Sequence, residues 1–131
     1  MNLKKKTIGI LGGGQLGKMT AIAAKKLGYH TFLYCPKGDN PAEYSVHEHI
    51  SGDWDDNKKL ELFGSKVDVI TSEFENIPAK TLDNLSKITK VYPSSFCFSI
   101  AQHRNKEKEM AAKSGFLVPK WYRIKSLDDL I

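Results

Sequence analysis

The sequence predicts an α/β protein built on an open, mostly parallel sheet with helices on both faces. Short apolar runs alternate with segments of helical periodicity along its 131 residues. This rhythm is typical of parallel strands joined by helical crossovers. The first apolar run, residues 7–11, also leads into a glycine cluster at residues 12–17 that opens an amphipathic segment. A strand, a glycine turn and a helix in this order indicate the first unit of such a sheet.

Each predicted element follows from its apolar pattern and its boundary residues. Gly28 ends the first helix, Pro78 suits the first turn of the third, and Gly115 suits a helix end. The predicted strands are residues 7–11, 29–34, 47–50, 67–71, 90–92 and 117–124. The predicted helices are residues 15–27, 57–64, 78–85, 96–114 with a break near His103, and a last one from Ser126. Four residues of the first helix form an apolar stripe that is expected to face the sheet: Leu16, Met19, Ala23 and Leu27.

Composition and charge argue against several classes of protein. The net charge is +5, but the basic residues are dispersed and form no stripe interleaved with aromatic residues, so nucleic acid is not an expected partner. No apolar run approaches the ~18 residues that span a membrane. The two isolated cysteines, Cys35 and Cys97, indicate a reducing compartment and a cytoplasmic location.

The glycine cluster is the first candidate for a binding site. Gly12, Gly14 and Gly17 satisfy G-x-G-x-x-G, and the helix that follows would present free N–H groups to an anion. One interpretation is the NAD(P)-binding domain of a dehydrogenase, which needs a carboxylate at the end of the second strand for the ribose hydroxyls. That strand ends in Tyr34 and Cys35 without an acid, which disfavours this interpretation.

Acidic residues follow the fourth predicted strand. In an extended backbone Glu73 and Glu75 point the same way. Two carboxylates at the carboxyl end of a strand suit a ligand with hydroxyls or an amine, held beside Gln15. The alternative is that Glu75 and Asn76 only cap the next helix.

Arg104 and the histidines remain ambiguous from the residues alone. Arg104 is either a solvated helix residue or a phosphate ligand, because a guanidinium matches the geometry of phosphate. His47 and His49 lie on one face of a strand, but no third ligand is suitably spaced. No metal site is therefore predicted.

Three motifs together resemble one enzyme family. They are Gly-Gly-Gly-Gln-Leu-Gly at 12–17, Glu-Phe-Glu-Asn at 73–76 and Ala-Gln-His-Arg at 101–104. With them the chain closely resembles the 5-(carboxyamino)imidazole ribonucleotide synthases, which are ATP-grasp ligases of purine biosynthesis. The resemblance covers essentially the whole chain after Lys6. It implies a Rossmann-like pre-ATP-grasp domain over residues 1–100, followed by a linker helix and the start of the ATP-grasp domain over 101–131.

The resemblance also implies an activity. The family carboxylates the exocyclic amine of aminoimidazole ribonucleotide with bicarbonate, converts ATP to ADP and phosphate, and forms homodimers. Most ligands of ATP and Mg2+ would lie beyond position 131, so we expect an N-terminal piece of a longer ligase that is inactive alone, with no catalytic residue of its own. The implied contacts are Gly14, Gln15, Leu16, Glu73, Glu75 and Asn76 to aminoimidazole ribonucleotide, and Arg104 to ATP phosphates.

Three positions depart from the pattern of the family. Ser72 stands where a tyrosine is common, His103 where an aspartate precedes the arginine, and Cys35 where an aspartate often ends the second strand. None of them removes a position to which a role is assigned. Besides the dehydrogenase domain, a non-catalytic ligand-binding or assembly module remains an alternative.

Overall fold

A single sheet with flanking helices makes up the structure, a computed structural model that describes residues 5–72 and 74–130. The strands are β1 Thr7–Leu11, β2 His30–Cys35, β3 Glu48–Ser51, β4 Val69–Ser72 and β5 Lys90–Val91. The α-helices are α1 Gln15–Lys26, α2 Asn57–Ser65, α3 Ala79–Ser86, α4 Ser95–Ala101 and α5 Arg104–Lys113. Short 3-10 turns lie at Glu43–Ser45 and Leu127–Leu130.

The strand order is β3-β2-β1-β4-β5, and every pair is parallel. The first three strands lie side by side in the order of the sequence. The chain then crosses back, so that β4 pairs with the other side of β1 and β5 pairs with β4. In the central register Leu11 pairs with Tyr34 on one side and with Ser72 on the other. Open α/β sheets bind ligands outside the carboxyl ends of the strands, where the strand order reverses. That place is the end of β1 and β4.

Two apolar cores confirm the predicted layers, because successive strand residues point to opposite faces. On one face Ile10 and Leu33 pack with Ala21 of α1 and with Ala42. The other face carries the larger core, with side chains from β1, β2, β4, α2, α3 and α4. Its buried members are Leu11, Phe32, Tyr34, Leu60, Phe63, Val67, Ile70, Ile77, Leu82, Leu85 and Phe98.

Helix α1 contacts the sheet with a different face from the one predicted. Its buried residues are Gly17, Ala21 and Ala24, whereas Leu16, Met19 and Leu27 are 59%, 62% and 76% exposed. Ala23 is exposed as well. The small side chains allow the helix to lie close to the strands, as the third glycine of G-x-G-x-x-G requires. The predicted stripe of large apolar residues was therefore wrong.

In the last part of the chain, one prediction is confirmed and another is wrong. The break near His103 is confirmed, since α4 and α5 are separate helices, and Gly115 has the left-handed φ of +84° that ends a helix. Residues 117–124 form no strand, however, and Leu117 and Tyr122 are exposed. An apolar run becomes a strand only beside a partner that pairs with its backbone, and this segment pairs with no strand within the described residues.

Candidate functional site

The glycine turn lies at the carboxyl end of β1. Gly12 has φ +105°, which favours glycine, and its N–H donates to the carbonyl of Tyr34 at 3.0 Å. Gly14 is the extended residue before α1, and its carbonyl accepts from Lys18 N–H at 3.0 Å. The turn therefore directs the amino end of α1 toward the crevice at the edge of the sheet.

A cleft of about 340 Å³ opens above this turn. It is bordered by the glycine turn, by the loop after β2, by one aromatic residue after β3 and by one after β4. Its lining residues are Gly12, Gly13, Gly14, Cys35, Pro36, Lys37, Gly38, Asp39, Asn40, Trp54 and Phe74. The cleft thus lies where the strand order reverses, as predicted from the sheet type.

Asn40 holds the loop after β2 together, and Ala42 bonds this loop to the glycine turn. The Asn40 amide donates to the Pro36 carbonyl at 2.9 Å and to Glu43 Oε1 at 3.1 Å. Ala42 N–H donates to the Gly13 carbonyl at 3.0 Å. The turn and the loop therefore form one hydrogen-bonded wall of the cleft.

Two buried side chains end β2. The Tyr34 hydroxyl donates to the Asp53 carbonyl at 2.7 Å, and burial, helped by nearby aspartates, raises its pKa to about 12. Cys35 contacts Glu43 Oε1 at 3.7 Å, and burial together with that carboxylate raises the pKa of the thiol to about 12. Neither side chain offers a carboxylate for a dinucleotide ribose, and Cys35 is protonated at neutral pH.

The predicted substrate residues Gly14, Gln15 and Leu16 lie at the amino end of α1, next to the glycine turn. Gly14 lines the cleft, whereas Gln15 and Leu16, the first two residues of α1, are exposed and are not among its lining residues. The exposed amide of Gln15 can both donate and accept hydrogen bonds. These side chains are thus available to a ligand that extends beyond the cleft.

The acidic turn after β4 is divided between two cavities. Glu73 lies outside the described residues. Phe74 lines the cleft above the glycine turn and also a smaller cavity of about 210 Å³ next to α4, which Glu75 lines as well. The Ser72 hydroxyl donates to the Leu11 carbonyl at 3.2 Å and accepts from Phe74 N–H at 3.1 Å, which ties the turn to the end of β1. Asn76 is exposed.

Arg104 belongs to a third cavity, of about 570 Å³, at the junction of α4 and α5. Its guanidinium is exposed and pairs with Glu107 Oε2 at 2.5 Å. The cavity is lined by Gln102, His103, Arg104, Asn105, Lys106, Glu109 and Arg123. The three cations of this lining, Arg104, Lys106 and Arg123, outnumber its one carboxylate, Glu109, and Arg104 also pairs with Glu107. The remaining positive charge suits a polyanion such as a chain of phosphates.

A side chain that sequence reasoning did not select joins these regions. The Gln102 amide donates to the Glu75 carbonyl at 2.7 Å and to the Ile77 carbonyl at 2.6 Å. Its partners are backbone atoms 25 to 27 residues away, so no residue pattern reveals them. Trp54 and Asn40 were also missed, although their positions shortly after β3 and β2 are a usable signal.

No metal site is visible in the described ranges 5–72 and 74–130, where no three His, Cys, Asp or Glu residues are placed to hold an ion. The rings of His47 and His30 stack at 4.1 Å between centroids, and His47 Nδ1 accepts from Thr31 N–H at 3.1 Å. These two histidines therefore contact each other and the backbone of β2 near the β3 edge of the sheet. Helices long and apolar enough to cross a membrane are likewise not found there.

Comparisons with known proteins agree with this arrangement. The N5-carboxyaminoimidazole ribonucleotide synthase of Staphylococcus aureus strain COL is 41% identical over 124 residues, which are 95% of this chain and 33% of that protein. The crystal structure of N5-carboxyaminoimidazole synthetase from S. aureus complexed with ADP is similar with a TM-score of 0.88 and 40% identity, over 99% of this chain and 35% of that one.

A third similar protein was crystallised with two ligands. It is the N5-carboxyaminoimidazole synthase of Aspergillus clavatus, in complex with ADP and 5-aminoimidazole ribonucleotide. It has a TM-score of 0.74 and 26% identity, over 85% of this chain and 30% of that one. The chain spans about a third of the length of the curated relatives it matches.

The sequence model of a protein family, the ribonucleotide synthetase pre-ATP-grasp domain, matches residues 5–102. This range includes the sheet, the glycine turn, the acidic turn and α4. Three quarters of the chain therefore follow the pattern of that domain. The chain belongs to the ribonucleotide synthetase pre-ATP-grasp domain family.

Proposed function

We propose that this chain is the domain of a 5-(carboxyamino)imidazole ribonucleotide synthase that binds aminoimidazole ribonucleotide. In the complete ligase the amine of this substrate is carboxylated with bicarbonate at the expense of ATP. The observation that carries the proposal is the cleft in which the glycine turn faces Phe74 of the acidic turn, in a chain of the pre-ATP-grasp family. The Aspergillus clavatus relative that binds 5-aminoimidazole ribonucleotide supports the choice of substrate.

The proposed contacts lie around the mouth of this cleft. Gly14 presents backbone at the amino end of α1, and the exposed Gln15 and Leu16 reach the ligand from the same helix end. Glu73, Glu75 and Asn76 are assigned contacts to the same ligand, as the resemblance implies. Carboxylates and amides suit the hydroxyls of the ribose and the exocyclic amine, because they accept the hydrogen bonds that these groups donate.

Nucleotide binding belongs mainly to the rest of the ligase. The exposed guanidinium of Arg104, beside Lys106 and Arg123, supplies positive charge for ATP phosphates. As the resemblance implies, ATP binds together with Mg2+, and the rest of the ligase supplies most of their ligands. We place the boundary of the first domain near residue 100, in keeping with a family match that ends at residue 102.

The assembly and its location are part of the same proposal. The first domain is Rossmann-like in its strand order, and the ligase is a cytoplasmic homodimer, as the resemblance implies. Cys35 and Cys97 are free thiols, which suits a reducing compartment. Light scattering on this chain and on the complete ligase measures the oligomeric state.

A titration of the 131-residue chain with aminoimidazole ribonucleotide tests the proposal. Amide resonances of residues 12–16 and 74–76 are expected to shift in a saturable manner, and Gln15→Ala is expected to weaken binding several-fold. Lys18→Ala, one turn further along α1, is the control and should bind as the parent does. No saturable shift, or an equal response to NADH without the ribonucleotide, would refute the proposal and favour an assembly module or a dinucleotide domain respectively.

A further inference from the structure

Gln102 connects the two parts of the molecule to which ligand contacts are assigned. Its amide nitrogen donates to the backbone carbonyls of Glu75 and Ile77, at 2.7 and 2.6 Å. Both hydrogens of the amide are thereby used on one turn of the chain. The next residues on the other side of Gln102 are His103 and Arg104, at the amino end of α5.

The direction of the Gln102 side chain follows from α4. Phe98 and Gln102 are four residues apart and lie on the same face of that helix. Phe98 is buried in the larger core with Ile77. The face that packs Phe98 against the core therefore also brings Gln102 over residues 75–77.

The hydrogen bonds of Gln102 add a polar restraint to a turn that the buried Ile77 anchors in the larger core. Residues 74–78 lie between β4 and α3, and Glu75 and Asn76 are exposed. The two bonds from Gln102 hold the backbone of this turn at the carbonyls of Glu75 and Ile77. A turn that is ordered before the ligand arrives does not have to be ordered on binding, so the ligand binds more tightly.

We propose that Gln102 is a positioning residue that fixes the acidic turn of residues 75–77 for the ribonucleotide and links this turn to Arg104 at the start of α5. The inference rests on the proposed function. Gln102 itself does not have to touch the ligand: it acts through the backbone that carries Glu75 and Asn76.

The chemistry of the amide makes the role testable by substitution. Gln102→Leu keeps the approximate size of the side chain and removes both donors. Gln102→Glu places a carboxylate against two carbonyl oxygens, and like partial charges repel. Gln102→Lys restores a donor on a long side chain that can reach the same carbonyls.

The experiment measures the affinity of the 131-residue chain for aminoimidazole ribonucleotide by calorimetry, with melting temperature recorded for every variant. Gln102→Leu and Gln102→Glu are expected to weaken binding about 5- to 10-fold, and Gln102→Lys to recover at least half of the lost affinity on a logarithmic scale. Ser99→Ala is the matched control. It removes a hydroxyl that bonds only within α4, to the Phe96 carbonyl, and should leave the affinity unchanged.

Each result decides between defined alternatives. Binding by the parent chain with equal affinity in Gln102→Leu and Gln102→Glu would overturn the positioning role and leave the proposed function intact. Absence of binding by the folded parent chain would overturn both. Should Gln102→Leu fail to fold, the comparison of Gln102→Lys with Gln102→Glu decides: equal affinities of these two variants contradict the role, and tighter binding by the lysine variant supports it.

Discussion

Asn40 lies so close over Gly13 that the glycine has no room for a Cβ. A Cβ at Gly13 would approach Asn40 Cγ to 2.6 Å and its Cβ to 2.7 Å. Asn40 cannot easily move away, because its amide is bonded to the Pro36 carbonyl and to Glu43. The close approach of this loop is therefore the reason for the middle glycine of the Gly12-Gly13-Gly14 run.

Gly13→Ala is expected to destabilise the protein by about 1–3 kcal/mol, the usual cost of crowding a closely packed position. Gly13 does not have a positive φ, so backbone strain adds nothing to this cost. Urea denaturation followed by circular dichroism measures the effect. Gly38→Ala in the same loop is the control: its Cβ would meet nothing within 4 Å, and a change within about 0.5 kcal/mol is expected. Equal effects at both positions would contradict the explanation.

The packing of α1 gives a second prediction. Ala21 is fully buried against the sheet, whereas Met19, two residues earlier, is 62% exposed. Ala21→Leu should lower the free energy of unfolding by about 1–3 kcal/mol, because the helix must move away from the strands. Met19→Gln should change it by less than about 0.5 kcal/mol. The same denaturation measurement compares the two variants. A larger loss of unfolding free energy for Met19→Gln than for Ala21→Leu would indicate that the apolar stripe predicted from the sequence is the buried one.

The two cysteines should differ strongly in their reactivity. Cys97 is exposed, while Cys35 is buried and its pKa is raised to about 12, so that almost no thiolate forms at pH 8. A colorimetric thiol reagent at pH 8 should therefore modify one thiol rapidly and the second only after denaturant is added. Cys97→Ser should abolish the fast phase. Two fast equivalents in the folded chain would show that Cys35 is accessible.

Acid should destabilise the edge of the sheet through His47. Burial, together with the positive charges of His30, Lys25 and Lys5, lowers the pKa of His47, and Glu48 acts in the opposite direction. Protonation of Nδ1 would also break the bond from Thr31 N–H. The stabilising contribution is complete above the unfolded pKa of about 6.5 and is lost as the pH falls through the lower folded pKa.

The urea midpoint between pH 7.5 and 5 measures this effect. His47→Gln removes the titrating ring and should flatten the decline toward acid pH. His49→Gln, two residues further along in β3, is the control and should keep the decline of the parent chain. If the urea midpoint of His47→Gln falls toward acid pH as steeply as that of the parent chain, groups other than His47 cause the decline.

Several elements could be predicted because their signals are local. The first strand and the turn into α1 follow from an apolar run and glycines, and the break at His103 interrupts a helical pattern that Gly115 later ends. The run of residues 117–124 carried a similar apolar signal and gave no strand. Whether such a run pairs depends on a neighbouring backbone, which the run itself does not specify.

The residues of the candidate site also fall into those that local motifs located and those that they did not. Gly14, Gln15 and the acidic turn could be located from motifs, because each directly follows a strand or begins a helix. Trp54 and Asn40 follow β3 and β2 but belong to no motif, so no role was assigned to them. The contacts of Gln102 join segments that are distant in sequence, and no local pattern reveals them. The predicted stripe of α1 failed for a related reason: small residues at Gly17 and Ala21 face the sheet because the helix lies close to it.

The sequence by itself determined the order of the first five strands and their parallel sheet, because apolar periodicity and glycine turns act within a few residues. The resemblance of its three motifs indicated the family. Only the tertiary structure decided which face of α1 is buried and that Asn40 closes over Gly13. It also separated the cleft at Gly14 from the cavity at Arg104, and it placed the amide of Gln102 on the carbonyls of Glu75 and Ile77. Close packing and hydrogen bonds between distant segments fix these relationships, and they exist only once the chain has folded.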